Sequence, residues 1–277
     1  MSNKEIIEVE SGAIDKPSKS LELPESEKGT YARFAIAALG SVPWVGGMIA
    51  GGAALHAEKE QGRINENIEL WLKEHEKKLE ALFRALSSVA QGIELLGEEA
   101  KQRIQEDDYL ALVKKGFGVW DRAETDDKRE LVQFLLKNAA GTSVTDDDIV
   151  RLFIDWIDRY HEAHFGIIRA IYKNPGISLL GIWREMGNTG ELPSENSSSA
   201  DLYRMLIHDL STGRVIRQER EVNSLGQFMK KSRRGPRAPS SDTMKSSFDD
   251  TDRYELSELG QEFVHYVLQD VVSRISD

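Results

Sequence analysis

Apolar positions recur with different periods along the chain, and each period predicts a different element. Residues 1–28 carry no apolar period; Pro17, Pro24 and scattered serines predict a disordered leader. Phe34 to Leu55 is the opposite case, 22 uncharged residues, FAIAALGSVPWVGGMIAGGAAL, half of them glycine or alanine. The run is as long as a membrane-spanning helix. Ser41-Val42-Pro43 interrupts it, because proline removes a backbone donor and disfavours helix at the residue before it. A helix-turn-helix hairpin is expected, with Gly47 and Gly51 spaced to let two backbones approach closely. The candidate membrane or docking residues are Phe34, Ile36, Leu39, Val42, Trp44, Val45, Gly47, Ile49, Gly51 and Leu55. Their apolar members supply only about −3 kcal/mol on an insertion scale. Arms of roughly ten residues are too short to span a bilayer. A buried hairpin is the first expectation; shallow or triggered insertion and a single span are the alternatives. Trp44, beside Pro43 at the tip, would sit at a membrane interface or plug a groove in the same molecule.

From residue 56 to 104 the apolar positions fall every three or four residues on a heptad-like stripe, which predicts one long helix. Ile64, Ile68, Trp71, Leu79, Leu82, Leu86, Val89 and Ile93 are candidates for self-association, the alternative being packing within the chain. Gly92 and Gly97 each cost about 1 kcal/mol against alanine and predict a bend or break. A glycine-containing break is expected at Lys115–Gly118. Thr125 caps a helix that Gly141 stops, and Thr145 caps a longer one, with Ile149, Phe153, Trp156, Tyr160, Ile167 and Ile171 inward, that ends at Asn174-Pro175-Gly176.

Beyond that turn the period changes. A short helix over 178–186, a polar loop and a helix over 199–212 precede a strand-like Arg214–Arg220; a long polar excursion leads to a second strand at Tyr254–Leu256 and a helix from Glu258. Gly213-Arg214-Val215-Ile216-Arg217 and Tyr254-Glu255-Leu256-Ser257-Glu258-Leu259-Gly260 resemble the two wing strands and the strand-to-helix junction of winged-helix domains, over about 161–275. The resemblance implies a third helix that enters a DNA groove and a wing that lies on phosphates. On that helix it singles out Arg204 and His208, among the acidic Asp201 and Asp209. On the wing it singles out Lys230, Lys231, Arg233, Arg234 and Arg237, five cations in eight residues. The alternatives are a protein-binding winged helix and a merely solvated loop. The Gly/Ala run, the long helix and Lys128–Ala140 also resemble bacterial abortive-infection proteins of the Abi-alpha type, which implies a phage-defence setting.

The predicted architecture is mainly α: a leader over 1–28, a helical domain over 29–140, a connecting helix over 141–160, and a winged-helix (α+β) domain over 161–277 with its wing at 221–252. A net charge of −11 argues against bulk nucleic-acid binding. Residues 161–277 hold 15 basic against 17 acidic side chains, so any nucleic-acid surface belongs there. The absence of cysteine removes disulfides, thiolate metal sites and thiol catalysis.

His161-Glu162-Ala163-His164 has histidines three apart, where a zinc-protease helix needs four, and reads as two ordinary helix histidines. The glycine pairs lack the Gly-Lys-Ser/Thr of a phosphate cradle. The acidic pairs at Asp107, Asp126 and Asp249 read as caps or solvated groups. No enzyme, metal or cofactor is expected. The expected role is oligomerisation or protein binding, with a membrane-perturbing effector and a DNA-binding regulator as alternatives. The expected partners are a second copy or another protein, then a membrane surface or duplex DNA. The expected location is the cytoplasm, at or triggered onto the inner membrane.

Overall fold

The computed structural model describes residues 6–7, 21–22, 30–46, 62–142, 145–219, 246–248 and 250–268; for 6–7, 21–22, 30 and 62–74 this is the backbone alone. The described chain is mainly helical and carries a small three-stranded antiparallel sheet. It divides into two units, residues 1–159 with 266–277, and residues 160–265.

In the first unit, Ile6–Ile7 (β1) pairs antiparallel with Leu21–Glu22 (β2), two short segments in the leader to which no apolar period points. Helix α1 spans Thr30–Leu39. It ends where the Ser-Val-Pro interruption begins: Gly40 and Ser41 form a turn, and the Ser41 hydroxyl donates to the Ala38 carbonyl at 2.6 Å. Helical backbone resumes at Pro43–Gly46, and the remainder of the expected hairpin lies outside the described residues. Helix α2 (Gly62–Leu96) follows the heptad-like stripe and stops at Gly97, whose φ of +93° is open to glycine and strained for other residues.

Helices α3 (Glu98–Arg103), α4 (Asp107–Arg122), α5 (Asp126–Gly141) and α6 (Asp147–Arg159) complete this unit. Thr125 caps α5 by accepting from the Lys128 N–H. Asp107, Asp108, Asp126 and Asp127 fill first turns, where a carboxylate meets the positive end of the helix dipole.

The break expected at Lys115–Gly118 is absent. Helix α4 runs through both glycines, and Gly116 is where the Leu136 side chain of α5 comes close; a Cβ there would meet it at 3.0 Å. Close packing, not chain reversal, accounts for that glycine. The core forms where α1 packs on α4, α2 on α5, and α4 on both α5 and α6. Phe34 is fully buried edge-on to Phe117, with centroids 6.3 Å apart. Leu82, Leu86, Val89 and Ile93 are likewise buried. Among the described residues no helix is long and apolar enough to cross a membrane.

The second unit begins at Tyr160. The single amphipathic helix expected from Thr145 to Lys173 is two, α6 and α7 (Glu162–Lys173), parted at Tyr160–His161. Strand β3 (Ile177–Ser178) follows, then α8 (Leu179–Glu185), α9 (Ser198–Thr212), β4 (Ile216–Gln218), β5 (Arg253–Leu256) and α10 (Glu258–Val267). The sheet order is β3-β5-β4, with Ile177 opposite Tyr254 and Ile216 opposite Leu256. β3 is too short to alternate visibly, so periodicity alone does not predict it.

The strand-to-helix junction after β5 is tightly made. Ser257 Oγ accepts from the Gly260 N–H at 2.9 Å, capping α10, and donates to the Arg214 carbonyl at 2.5 Å. Arg214 has φ +59°, and it is the one non-glycine residue with positive φ among those described. A Cβ on Gly260 would lie 2.1 Å from the Val215 carbonyl oxygen. The junction residues thus bring the first turn of α10 against the backbone that leads into β4.

Candidate docking site on the second unit

Helix α9 buries Ala200, Tyr203, Leu206, Ile207 and Leu210 and turns Asp201, Leu202, Arg204, Met205, His208 and Thr212 outward. The period of 3.6 dictates this division. The outward face is part apolar: Leu202 keeps 52% and Met205 45% of its surface exposed. Its cation is already paired. The Arg204 guanidinium donates to Asp201 Oδ1 at 2.8 Å, to the Glu195 carbonyl at 3.0 Å and to Glu195 Oε2 at 2.5 Å. From residue 179 to 212 five carboxylates stand against two guanidinium groups. Such a face attracts apolar surface and repels phosphate.

Glu195 organises the edge of this site. Besides Arg204 it accepts from the Ser246 hydroxyl and from the Ser247 N–H and hydroxyl, both at 3.0 Å on Oε2. These hydrogen bonds to the ionised form, the one from Ser246 foremost, hold its carboxyl down at about 2. The chain returning toward β5 is fastened twice more. Phe248 stacks on Tyr203 with centroids 5.7 Å apart and meets Trp183 edge-on at 5.1 Å. Asp250 accepts from the Ser178 hydroxyl, which also caps α8 through the Gly181 N–H. The Tyr203 hydroxyl donates to the Leu179 carbonyl at 2.6 Å, and burial pushes its titration upward. Neither Glu195 nor Phe248 stands out in the sequence; their partners lie far along the chain or in a polar loop without a period.

The other candidates divide in three. Lys230, Lys231, Arg233, Arg234 and Arg237 lie outside the described residues, as do Gly47, Ile49, Gly51 and Leu55. In the apolar run, Phe34 and Val42 are buried, Leu39, Trp44 and Val45 are half-buried, and Ile36 is 70% exposed. Trp44 docks within its own unit: its Nε1 donates to Asp121 at 2.6 Å, and its ring meets His75 edge-on at 5.5 Å.

Of the self-association set, Leu82, Leu86, Val89 and Ile93 are spent inside one chain, where α5 covers the helix, and Leu79 is half-buried. The side chains of Ile64, Ile68 and Trp71 lie outside the description. His208 is exposed, with its Nε2 3.4 Å from the Thr212 hydroxyl. His161 caps α7, and His164 is buried one turn on. Among the described residues no group of three or more His, Cys, Asp or Glu side chains is placed to hold a metal ion. Compared with known proteins, the chain matches no family model, no curated protein and no solved structure.

Proposed function

We propose that this is a non-enzymatic interaction protein in which a helical bundle is joined in one chain to a winged-helix unit that binds a protein partner through the outward face of α9. The order helix, strand, two helices, strand, long connection, strand, helix supports the winged-helix reading, as do the capping and close approach at Ser257 and Gly260. The observation that carries the choice of partner is the surface of α9. Where the resemblance implies a DNA-reading helix, Leu202 and Met205 are uncovered and Arg204 is neutralised by Glu195 and Asp201. Full burial of a leucine or methionine is worth about 1.5–3 kcal/mol, so a protein surface gains from both positions. A phosphate backbone gains nothing from them and meets Asp201 and Asp209. The resemblance to abortive-infection proteins extends the proposal to bacterial phage defence. A membrane-acting role for residues 34–55 would first have to withdraw Phe34 and Val42 from the bundle.

Titration of a fluorescent DNA duplex at low salt tests this reading. The expected result is that Arg204→Ala leaves any duplex affinity unchanged. A tenfold or larger loss with Arg204→Ala would overturn the protein-docking role of α9. Steeply salt-dependent binding that survives Arg204→Ala but disappears when Lys230, Lys231, Arg233 and Arg234 are all changed to Ala would favour the DNA-binding regulator instead.

A further inference from the structure

Helix α7 starts without a Ser, Thr, Asp or Asn cap. His161 occupies the cap position in extended backbone, and its N–H donates to Nδ1 of His164, one turn on, at 3.1 Å. A ring nitrogen that accepts carries no proton, so neutral His164 holds its proton on Nε2. That Nε2 is buried, has no hydrogen-bond partner among the described residues, and lies 3.6 Å from Asp209 Oδ2 on α9. The His164 side chain is 2% exposed, and its ring stacks on Tyr160 with centroids 4.9 Å apart. Tyr160 is held there in turn: its hydroxyl fills the space a Cβ on Gly213 would need. The titratable groups facing His164 are the Tyr160 phenol stacked on its ring, His161 beside it and Asp209 on α9. Among the described residues the other elements packed on α7, namely α8, β5 and α10, set no further charged group against it.

We propose that His164 is a proton switch for the first turn of α7. A proton taken from solvent by the Nδ1 lone pair turns that nitrogen from acceptor to donor, facing the His161 N–H. The cap bond is lost, and the imidazolium becomes the partner of Asp209. No other bond changes. Burial is the largest influence on the group and holds its titration below the ordinary histidine range; Asp209 works against burial and loses. A folded-state value below the unfolded one means that the unfolded chain binds the proton first. The stability the neutral form contributes is therefore whole above about pH 6.5 and is lost progressively as the pH falls below it, down to the lowered folded value. The switch does not rest on the docking role proposed for α9.

The test is NMR on the labelled full chain from about pH 8 to about pH 5, a range that spans ordinary histidine titration. It follows the His164 ring carbon shift together with exchange of the His161 amide, corrected for intrinsic exchange. The expected result is that the His161 amide loses protection in step with the His164 ring titration. Asp209→Asn moves both to lower pH, because it removes the group that favours the protonated ring. His164→Gln keeps the amide protected throughout, since its side-chain oxygen can accept from the cap N–H and does not titrate. Protection that does not follow the ring titration, or that is lost equally in His164→Gln, would overturn the proposal. Should His164→Gln not fold, the wild type and Asp209→Asn decide: a midpoint that stays or rises in Asp209→Asn overturns it.

Discussion

Gly260→Ala is expected to destabilise the second unit by roughly 3 kcal/mol, the upper end of what overpacking costs. By helix propensity alone the same change should stabilise α10, since alanine exceeds glycine by about 1 kcal/mol in a helix interior. The two effects have opposite signs, and the contact decides. A Cβ at this position lies 2.1 Å from the Val215 carbonyl oxygen, a backbone atom that cannot turn aside as a side chain can. The same carbonyl accepts from the Ser257 N–H at 3.0 Å and the Ser257 hydroxyl bonds to Arg214, so relief by backbone movement would cost these bonds too. Urea denaturation should show the loss, and amide exchange should locate it in β4 and the first turn of α10. Unchanged or increased stability would mean that α10 does not approach β4 as described.

Phe34→Ala is expected to cost about 3–5 kcal/mol, the range for truncating a buried aromatic side chain. Phe34 is fully buried edge-on to Phe117 within the first unit. Ile36, two residues on and 70% exposed, provides the control. Ile36→Ser should stay within about 0.5 kcal/mol, as exposed positions do. Were Phe34 held in reserve for a bilayer, its truncation in water would matter no more than that of Ile36. Chemical denaturation of the two variants separates these outcomes.

What the sequence revealed depended on how local the cause was. Thr125 capping α5, the stop at Gly97 and the interruption after Leu39 follow from residues within one turn of the feature, and each is found where local chemistry puts it. The split at Tyr160–His161 was hidden for a related reason. Apolar residues continue in helical period across it, Tyr160, Ile167 and Ile171 all being buried, and the cap acceptor is a histidine side chain rather than one of the usual cap residues. Gly116 misled because a glycine that permits close packing looks the same in sequence as one that ends a helix. The site was less legible still. Glu195 gathers Arg204, Ser246 and Ser247 across 9 to 52 positions of chain, and Phe248 reaches Tyr203 and Trp183 from a polar stretch. Nothing periodic marks such contacts. The self-association stripe illustrates the converse: the heptad pattern identifies a face that must be covered, and the packing of α5 on α2 supplies the cover for Leu82 to Ile93 within one chain.

The central claim, that α9 docks a protein, is tested most directly by placing a photo-crosslinking amino acid at position 205 of the full chain and irradiating it in its native cells. The account predicts a discrete adduct of defined mass that protease destroys and nuclease spares. Leu202→Glu on the same face should abolish the adduct, and moving the crosslinker to exposed Leu95 of the first unit should not reproduce it. An adduct at position 205 that nuclease removes, or one indifferent to Leu202→Glu, would contradict it.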